Sequence, residues 1–258
     1  MKKISDRKRI VIKVGTSTLT HRTGMLNIRR VEQLVKTLAD IQNSGHEVIL
    51  VSSGALGLGM GKLGLRERPK DTPGKQACAA VGQCELMYLY DNLFAEYSIS
   101  VAQMLLTKYV LLEDRRKNVE NAMERLISHR VIPVINENDT VAIDELELEV
   151  GENDSLAAIV ADIAKADLLI IMSDIDGLYD KDPHTYEDAK LIPVVHEITD
   201  EIKALAGGAG TKLGTGGMIT KLNAVEIAYK SDIDVVLMNG QHPKTLYDLF
   251  DGKSVGTI

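Results

Sequence analysis

Six short runs rich in Val, Ile and Leu, with little polar alternation, constrain this 258-residue chain more than any other feature. They are Arg9–Val14, Val48–Val51, Ser100–Leu105, Val131–Ile135, Leu168–Met172 and Asp234–Met238. A strand that is apolar on both faces must be covered on both faces, as in a parallel sheet held between helices. Helical patterns fill the intervals. Ile28, Val31, Leu34, Val35, Leu38 and Ile41 recur at helical spacing, and Gly45 supplies the stop. Gly74–Tyr97, Asn118–His129, Asp154–Ala164, Thr199–Ala206, Met218–Lys230 and Pro243–Phe250 complete the set. Strand alternating with helix predicts an α/β chain, a three-layer αβα sandwich with a mainly parallel central sheet. No Pro/Gly-rich linker interrupts it. The chain is read as one domain, 1–258, with a soft boundary near Lys165 between two lobes of a single sheet, 1–165 and 166–258.

Composition narrows the function classes. Thirty Lys and Arg against 37 Asp and Glu give a net charge of −7, the wrong balance for a general nucleic-acid binder. With no Trp and only 2 Phe, a base-stacking platform is not expected. No apolar run approaches the ~18 residues of a membrane span, and the basic N-terminus leads into the short strand Ile10-Val11-Ile12 rather than a signal-peptide core. A cytoplasmic protein with no nucleic-acid or membrane partner is expected. Cys78 and Cys84 lie six positions apart in a helical pattern, ~9 Å along its axis and on different faces. They are read as two small buried hydrophobes in a reducing compartment, not a disulfide.

Three strand-to-helix turns combine glycine with hydroxyl residues. They are Lys13-Val14-Gly15-Thr16-Ser17, Ser52-Ser53-Gly54-Ala55, and Gly214-Thr215-Gly216-Gly217-Met218-Ile219-Thr220-Lys221. Such turns let backbone N–H groups approach phosphate oxygens. The loop Ala206–Gly217, with six glycines, is expected to stay mobile until a ligand orders it. Gly59-Met60-Gly61-Lys62-Leu63-Gly64 matches a dinucleotide fingerprint but does not directly follow a strand, so it reads as a loose glycine-containing helix or loop. No Walker A motif, H-E-x-x-H or Cys/His ligand cluster is present. Two acidic-amide clusters stand out, Asn136-Glu137-Asn138-Asp139 and Gly151-Glu152-Asn153-Asp154. The first ends a strand at the ligand-binding edge of a parallel sheet. None of the six histidines falls in these turns, so a reaction that needs no histidine base is expected. Phosphoryl transfer to a carboxylate fits. The acceptor is already ionised at neutral pH, and catalysis reduces to positioning and charge neutralisation by lysines, helix N-termini and Mg²⁺.

Taken in order, the strings Ile12–Ser17, Val51–Ala55, Gln103–Thr107, Pro133–Asp139, Gly151–Asp154 and Gly214–Met218 resemble the amino acid kinase family, most closely its glutamate-phosphorylating branch. Ser254-Val255-Gly256-Thr257 also matches the end of that kinase domain. The resemblance covers nearly the whole chain. It implies ATP-dependent phosphorylation of the side-chain carboxylate of L-glutamate, the first step of proline synthesis, with ATP and Mg²⁺ as cofactors. By matching position, Lys13 and Lys221 would stabilise the transferring phosphoryl group and Asp154 would hold the lysines. Ser53, Asp139 and Asn153 would bind glutamate, with Asn136 nearby. Gly15 and Gly54 would offer backbone N–H groups. Ser173, Asp174, Thr215, Gly216, Gly217, Met218, Ile219, Thr220 and Lys221 would hold the nucleotide. On this pattern 1–165 is the glutamate-binding lobe and 166–258 the nucleotide-binding lobe. Ile219 departs from the small hydroxyl residue common there, and the C-terminal PUA domain of many members is not expected. The resemblance further implies proline as a feedback inhibitor at the glutamate pocket. It also implies a homo-oligomer, for which the long Gly74–Tyr97 helix offers apolar residues on more than one side. A kinase for acetylglutamate or carbamate, or a non-catalytic sensor on the same fold, remains the alternative.

Overall fold

The computed structural model describes residues 3–21, 25–141, 153–183, 185–206 and 217–258. Its centre is a six-stranded sheet of β1 (Arg9–Val14), β2 (Glu47–Ser52), β3 (Val101–Leu106), β4 (Ile132–Glu137), β5 (Leu168–Ser173) and β6 (Asp234–Asn239). Every pairing is parallel, in the order β3-β4-β2-β1-β5-β6. The helices are α1 (Thr16–Leu19), α2 (Ile28–Asn43), α3 (Ala55–Lys62), α4 (Thr72–Ala95), α5 (Glu113–Ser128), α6 (Asn153–Ile163), α7 (Asp200–Leu205), α8 (Met218–Tyr229) and α9 (Thr245–Phe250).

Strand alternation sorts the core into two layers. Ile10, Ile12 and Val14 of β1 pack with α2 and with Leu86, Tyr90 and Phe94 of α4. Val11, Ile49, Val51 and Ile171 pack on the other face with α6 and with Ala224 and Ala228 of α8. Period-two geometry puts Lys13 on the same face as Val11, toward α6. β1 lies between β2 and β5: the chain builds β2, β4 and β3 on one side of it and then crosses back to β5 and β6 on the other. Such a switch point, at the carboxyl ends of the strands, is where ligands of parallel α/β sheets bind.

Several expected boundaries shift for identifiable reasons. α4 starts at Thr72, earlier than the Gly74 expected, because the Asp71 side chain accepts a 2.9 Å hydrogen bond from the Gly74 N–H and caps the helix. α5 starts at Glu113 rather than Asn118. Its first turn is polar, and Glu113 and Asp114 suit a helix N-terminus electrostatically. Of the string Gly59–Gly64, read as a glycine-containing helix or loop, Gly59–Lys62 closes the helix Ala55–Lys62 and Leu63-Gly64 turns out of it. Cys78 is buried as expected, but Cys84 is exposed on the outer side of α4. Lys165, at φ 51°, turns the chain from α6 into β5, and β5 pairs with β1, so one sheet runs through the soft boundary. Thr257 clasps the β6 side. Its hydroxyl accepts from Leu178 N at 2.8 Å and donates to Ile192 O at 2.6 Å, and its backbone bridges Leu237.

Candidate active site

Lys13 is only 8% exposed and Lys221 7%, although each carries an ammonium group. Buried lysines need a partner, and both find it in one residue. Asp154, in the first turn of α6 and 1% exposed, places Oδ1 2.5 Å from Lys13 Nζ and Oδ2 3.2 Å from Lys221 Nζ. The three side chains come from β1, α6 and α8 and meet at the carboxyl edge of the sheet. Burial pushes the Asp154 carboxyl up. The two lysine charges and their hydrogen bonds more than offset this and hold it below the usual carboxylate range. Asp154 therefore stays ionised through the neutral and mildly acidic range and keeps both ammonium groups aimed at one place. Gly15 lies against this cluster: a Cβ there would sit 3.6 Å from Lys13 Nζ.

A second constellation lies at the ends of β2 and β4. The Asn153 amide donates to Ser53 Oγ at 2.8 Å and to Asn136 Oδ1 at 3.0 Å, and reaches the Ser52 carbonyl at 3.3 Å. Asn136 is 3% exposed and stands within β4, which runs to Glu137 rather than ending at Ile135. Asn136 in turn donates to Gln83 Oε1 at 2.9 Å. Asn153 and Asp154 are consecutive, so the start of α6 joins the amide cluster to the lysine cluster. Asp139 follows the amide cluster, part-buried, with no hydrogen bond or ion pair among the described residues. Burial raises its carboxyl pKa.

On the other side of β1, Ser173 is buried at the end of β5 and donates to Asp174 at 3.1 Å. Gly217 stands at the N-cap of α8, and Thr220 donates back to its carbonyl at 2.8 Å. Met218 packs partly against the core, while Ile219 is 51% exposed and points away from it. The missing hydroxyl at 219 therefore leaves the first-turn N–H groups of α8 in place. Thr215 and Gly216, and the loop expected to be mobile, lie outside the described residues apart from Ala206 and Gly217.

Sequence reasoning missed the contribution of α4. Tyr90 is fully buried and its hydroxyl shares a 2.8 Å hydrogen bond with Ser52 Oγ. Gln83 supports Asn136 as described. Next to Gln83 runs a glycine crossing. A Cβ on Gly82 would lie 1.7 Å from Ala55 O, and one on Gly59 would lie 1.7 Å from Cys78 O. These glycines let α3 and α4 touch backbone to backbone, which sets Ala55, at the start of α3, against Gly82. The legible signal was Gly82-Gln83, a helix-weakening residue beside a polar one within an apolar segment. Gly82→Ala must move backbone rather than a side chain. It should cost at least about 1–3 kcal/mol, read as a lower midpoint in thermal unfolding. An unchanged midpoint would mean that the helices separate without loss.

The sequence model described as "Amino acid kinase family" matches residues 8–239. The chain belongs to this family. It is 52% identical over 260 residues to the glutamate 5-kinase of Clostridium perfringens (strain 13 / Type A), covering 100% of this chain and 97% of that one. It is also 52% identical over 250 residues to the glutamate 5-kinase of Caldanaerobacter subterraneus subsp. tengcongensis, covering 96% of this chain and 67% of that relative. Among solved structures, the UMP kinase of Ureaplasma parvum superposes with a TM-score of 0.66 at 15% identity, covering 99% of this chain and 98% of that one. The T. acidophilum isopentenyl phosphate kinase gives 0.64 at 20% identity, covering 97% and 99%. These two share the fold. The amino acid kinase architecture is thus common to chains whose acceptors differ, and the acceptor must be argued from the site.

Proposed function

We propose that this chain transfers the γ-phosphoryl group of ATP to the side-chain carboxylate of L-glutamate, giving ADP and L-glutamyl 5-phosphate, the first step of proline biosynthesis. The observation that carries the reading is the pair of buried lysines gathered on Asp154, next to an amide pocket, in a chain half identical to glutamate 5-kinases. The acceptor carboxylate, with a pKa of ~4.3, is ionised at neutral pH and needs no base. What the reaction needs is relief of repulsion between two anions. Lys13 and Lys221 supply it in a site where Asp154 has already fixed their positions. Ser53, Asn136 and Asn153 line the acceptor side, and Asp139 takes the α-ammonium group. Gly54, beside Ser53 on the acceptor side, would offer its N–H to the phosphate, and Gly15, Ser173, Asp174 and residues 215–221 would hold the phosphates and nucleotide. Apart from Lys13 and Gly15, this puts the glutamate lobe in 1–165 and the nucleotide lobe in 166–258.

Mg²⁺ belongs to the same proposal. It dehydrates reluctantly and binds mainly through substrate phosphates with one or two carboxylates. Both Asp154 oxygens are engaged by lysines, so the metal would be carried on the triphosphate, where it neutralises charge. ADP release measured against a panel of free and acetylated amino acids tests the function. Glutamate should be the preferred acceptor. An acetylated amine would leave Asp139 unpaired, so a preference for an acetylated acid would refute the reading.

Proline is proposed to inhibit at the acceptor pocket. It carries an α-carboxylate and a secondary ammonium group that Asp139 and Asn153 can hold, but no side-chain carboxylate to accept phosphate. Initial velocities should show inhibition that fades as glutamate rises. Inhibition independent of glutamate would move the proline site elsewhere. Self-association through the outer side of α4, where Tyr88 is 70% exposed, belongs to the same reading, as does a cytoplasmic location. A particle of 28.2 kDa by light scattering at micromolar concentration would end the oligomer claim. Among the described residues no helix is long and apolar enough to cross a membrane.

A further inference from the structure

Gln83 is a buried amide with one end in use. Its residue is 8% exposed, and its Nε2 is buried with no hydrogen-bond partner among the described residues. The orientation of this amide follows from its neighbours. Glu137 N, which can only donate, lies 2.9 Å from Asn136 Oδ1, so that atom is the oxygen. The other end of Asn136 is then a donor, and the Gln83 atom 2.9 Å from it must be an acceptor. Nε2 is left facing away from Asn136 with two N–H groups to place. A buried donor without a partner is costly, and native interiors rarely keep one unless something else fills the bond.

We propose that Gln83 is a specificity-determining residue whose Nε2 donates to the α-carboxylate of the amino-acid substrate. The proposal rests on the glutamate reading above. Three observations direct it to that end of the substrate. Gln83 is bonded to Asn136 at the end of β4. Asp139, the group for the α-ammonium, follows three residues later on the same connection. β4 is separated from Lys13 on β1 by the whole of β2, roughly 10 Å at the usual strand spacing. The phosphoryl end of the site is therefore remote from Gln83, and the α-carbon end is close to it. A carboxylate also suits the Nε2 donor chemically, because it accepts two N–H bonds and makes them charge-assisted.

The test compares two acceptors in three enzymes. With L-glutamate and saturating ATP, Gln83→Met should lower kcat/KM by roughly 10- to 100-fold through KM, with KM for ATP unchanged. Gln83→Glu keeps an oxygen for Asn136 and removes the donor, so it should show the same selective loss. The α-amide of glutamate keeps a carbonyl acceptor but lacks the α-carboxylate charge, so it should lose clearly less than glutamate does, roughly 2- to 10-fold in Gln83→Met. If it is not turned over, its inhibition constant against glutamate gives the same comparison. Equal losses on both compounds would make Gln83 a mere support for Asn136 and overturn the proposal. So would a Gln83→Glu enzyme with wild-type kinetics. A wild-type enzyme that released ADP with a different acid and not with glutamate would instead overturn the functional reading, and this proposal with it.

Discussion

Lys13→Ala and Lys221→Ala should each lower kcat by roughly 10²–10³, the usual scale for losing one preorganised donor at a site of developing charge. KM values should change far less, because the lysines act on charge that peaks during transfer. The geometry adds a further expectation. Each variant also strips Asp154 of one of its two charge partners. Burial then weighs more heavily, and the Asp154 carboxyl pKa should rise from its depressed value. Truncating one partner of a buried charge group destabilises the fold, by about 3–5 kcal/mol in typical cases. Double replacement should lose less activity than the product of the single losses, since the two lysines act as one unit through Asp154. Steady-state kinetics with a wild-type kcat in either single variant would remove the assignment.

Asp139→Asn should raise KM for glutamate by roughly 10- to 100-fold and leave KM for ATP nearly unchanged, because a charge-assisted bond worth about 1.5–3 kcal/mol is lost. The pH dependence gives an independent reading. In the free protein burial raises the Asp139 carboxyl pKa. An ammonium group brought beside it would lower that pKa, so glutamate binding releases a proton. Binding is then fully favoured above the raised pKa and weakens as pH falls through it, with a limiting slope of one proton. The acid limb cannot come from Asp154, whose carboxyl is held low. In Asp139→Asn the acid limb of glutamate KM should move down to the titration of glutamate's own side-chain carboxylate, at about 4.3. An unshifted limb in the variant would place the ammonium partner elsewhere.

The central sheet was legible because buried parallel strands leave uninterrupted apolar runs, and Ile10–Val14 or Leu168–Met172 admit little else. Lys13 was legible for the complementary reason, as a charge in a stretch that is otherwise apolar. The pairing of Lys13 with Lys221 through Asp154 was not readable from spacing, since it depends on how α6 and α8 pack; the family resemblance supplied it. Gln83 and Tyr90 escaped because a polar residue within a long helix reads as a solvated face; Tyr90 is carried inward by the stripe it shares with Leu86 and Phe94, and Gln83 lies beside the Gly59–Gly82 crossing. Asn136 fell on the right edge but just past the expected strand end, because the strand runs on to Glu137.

The shared carboxylate also sets an order of assembly. Every described residue of the proposed acceptor pocket, and Asp154 with it, precedes α8 in the chain, whereas Lys221 arrives only with that helix. A nascent or proteolysed chain ending before α8 would retain Ser53, Asn136, Asp139 and Asn153 but have one cation short at the reacting phosphate. Exchange of the C-terminal part between relatives would likewise yield a working kinase only where the incoming helix delivers its lysine to the same carboxylate.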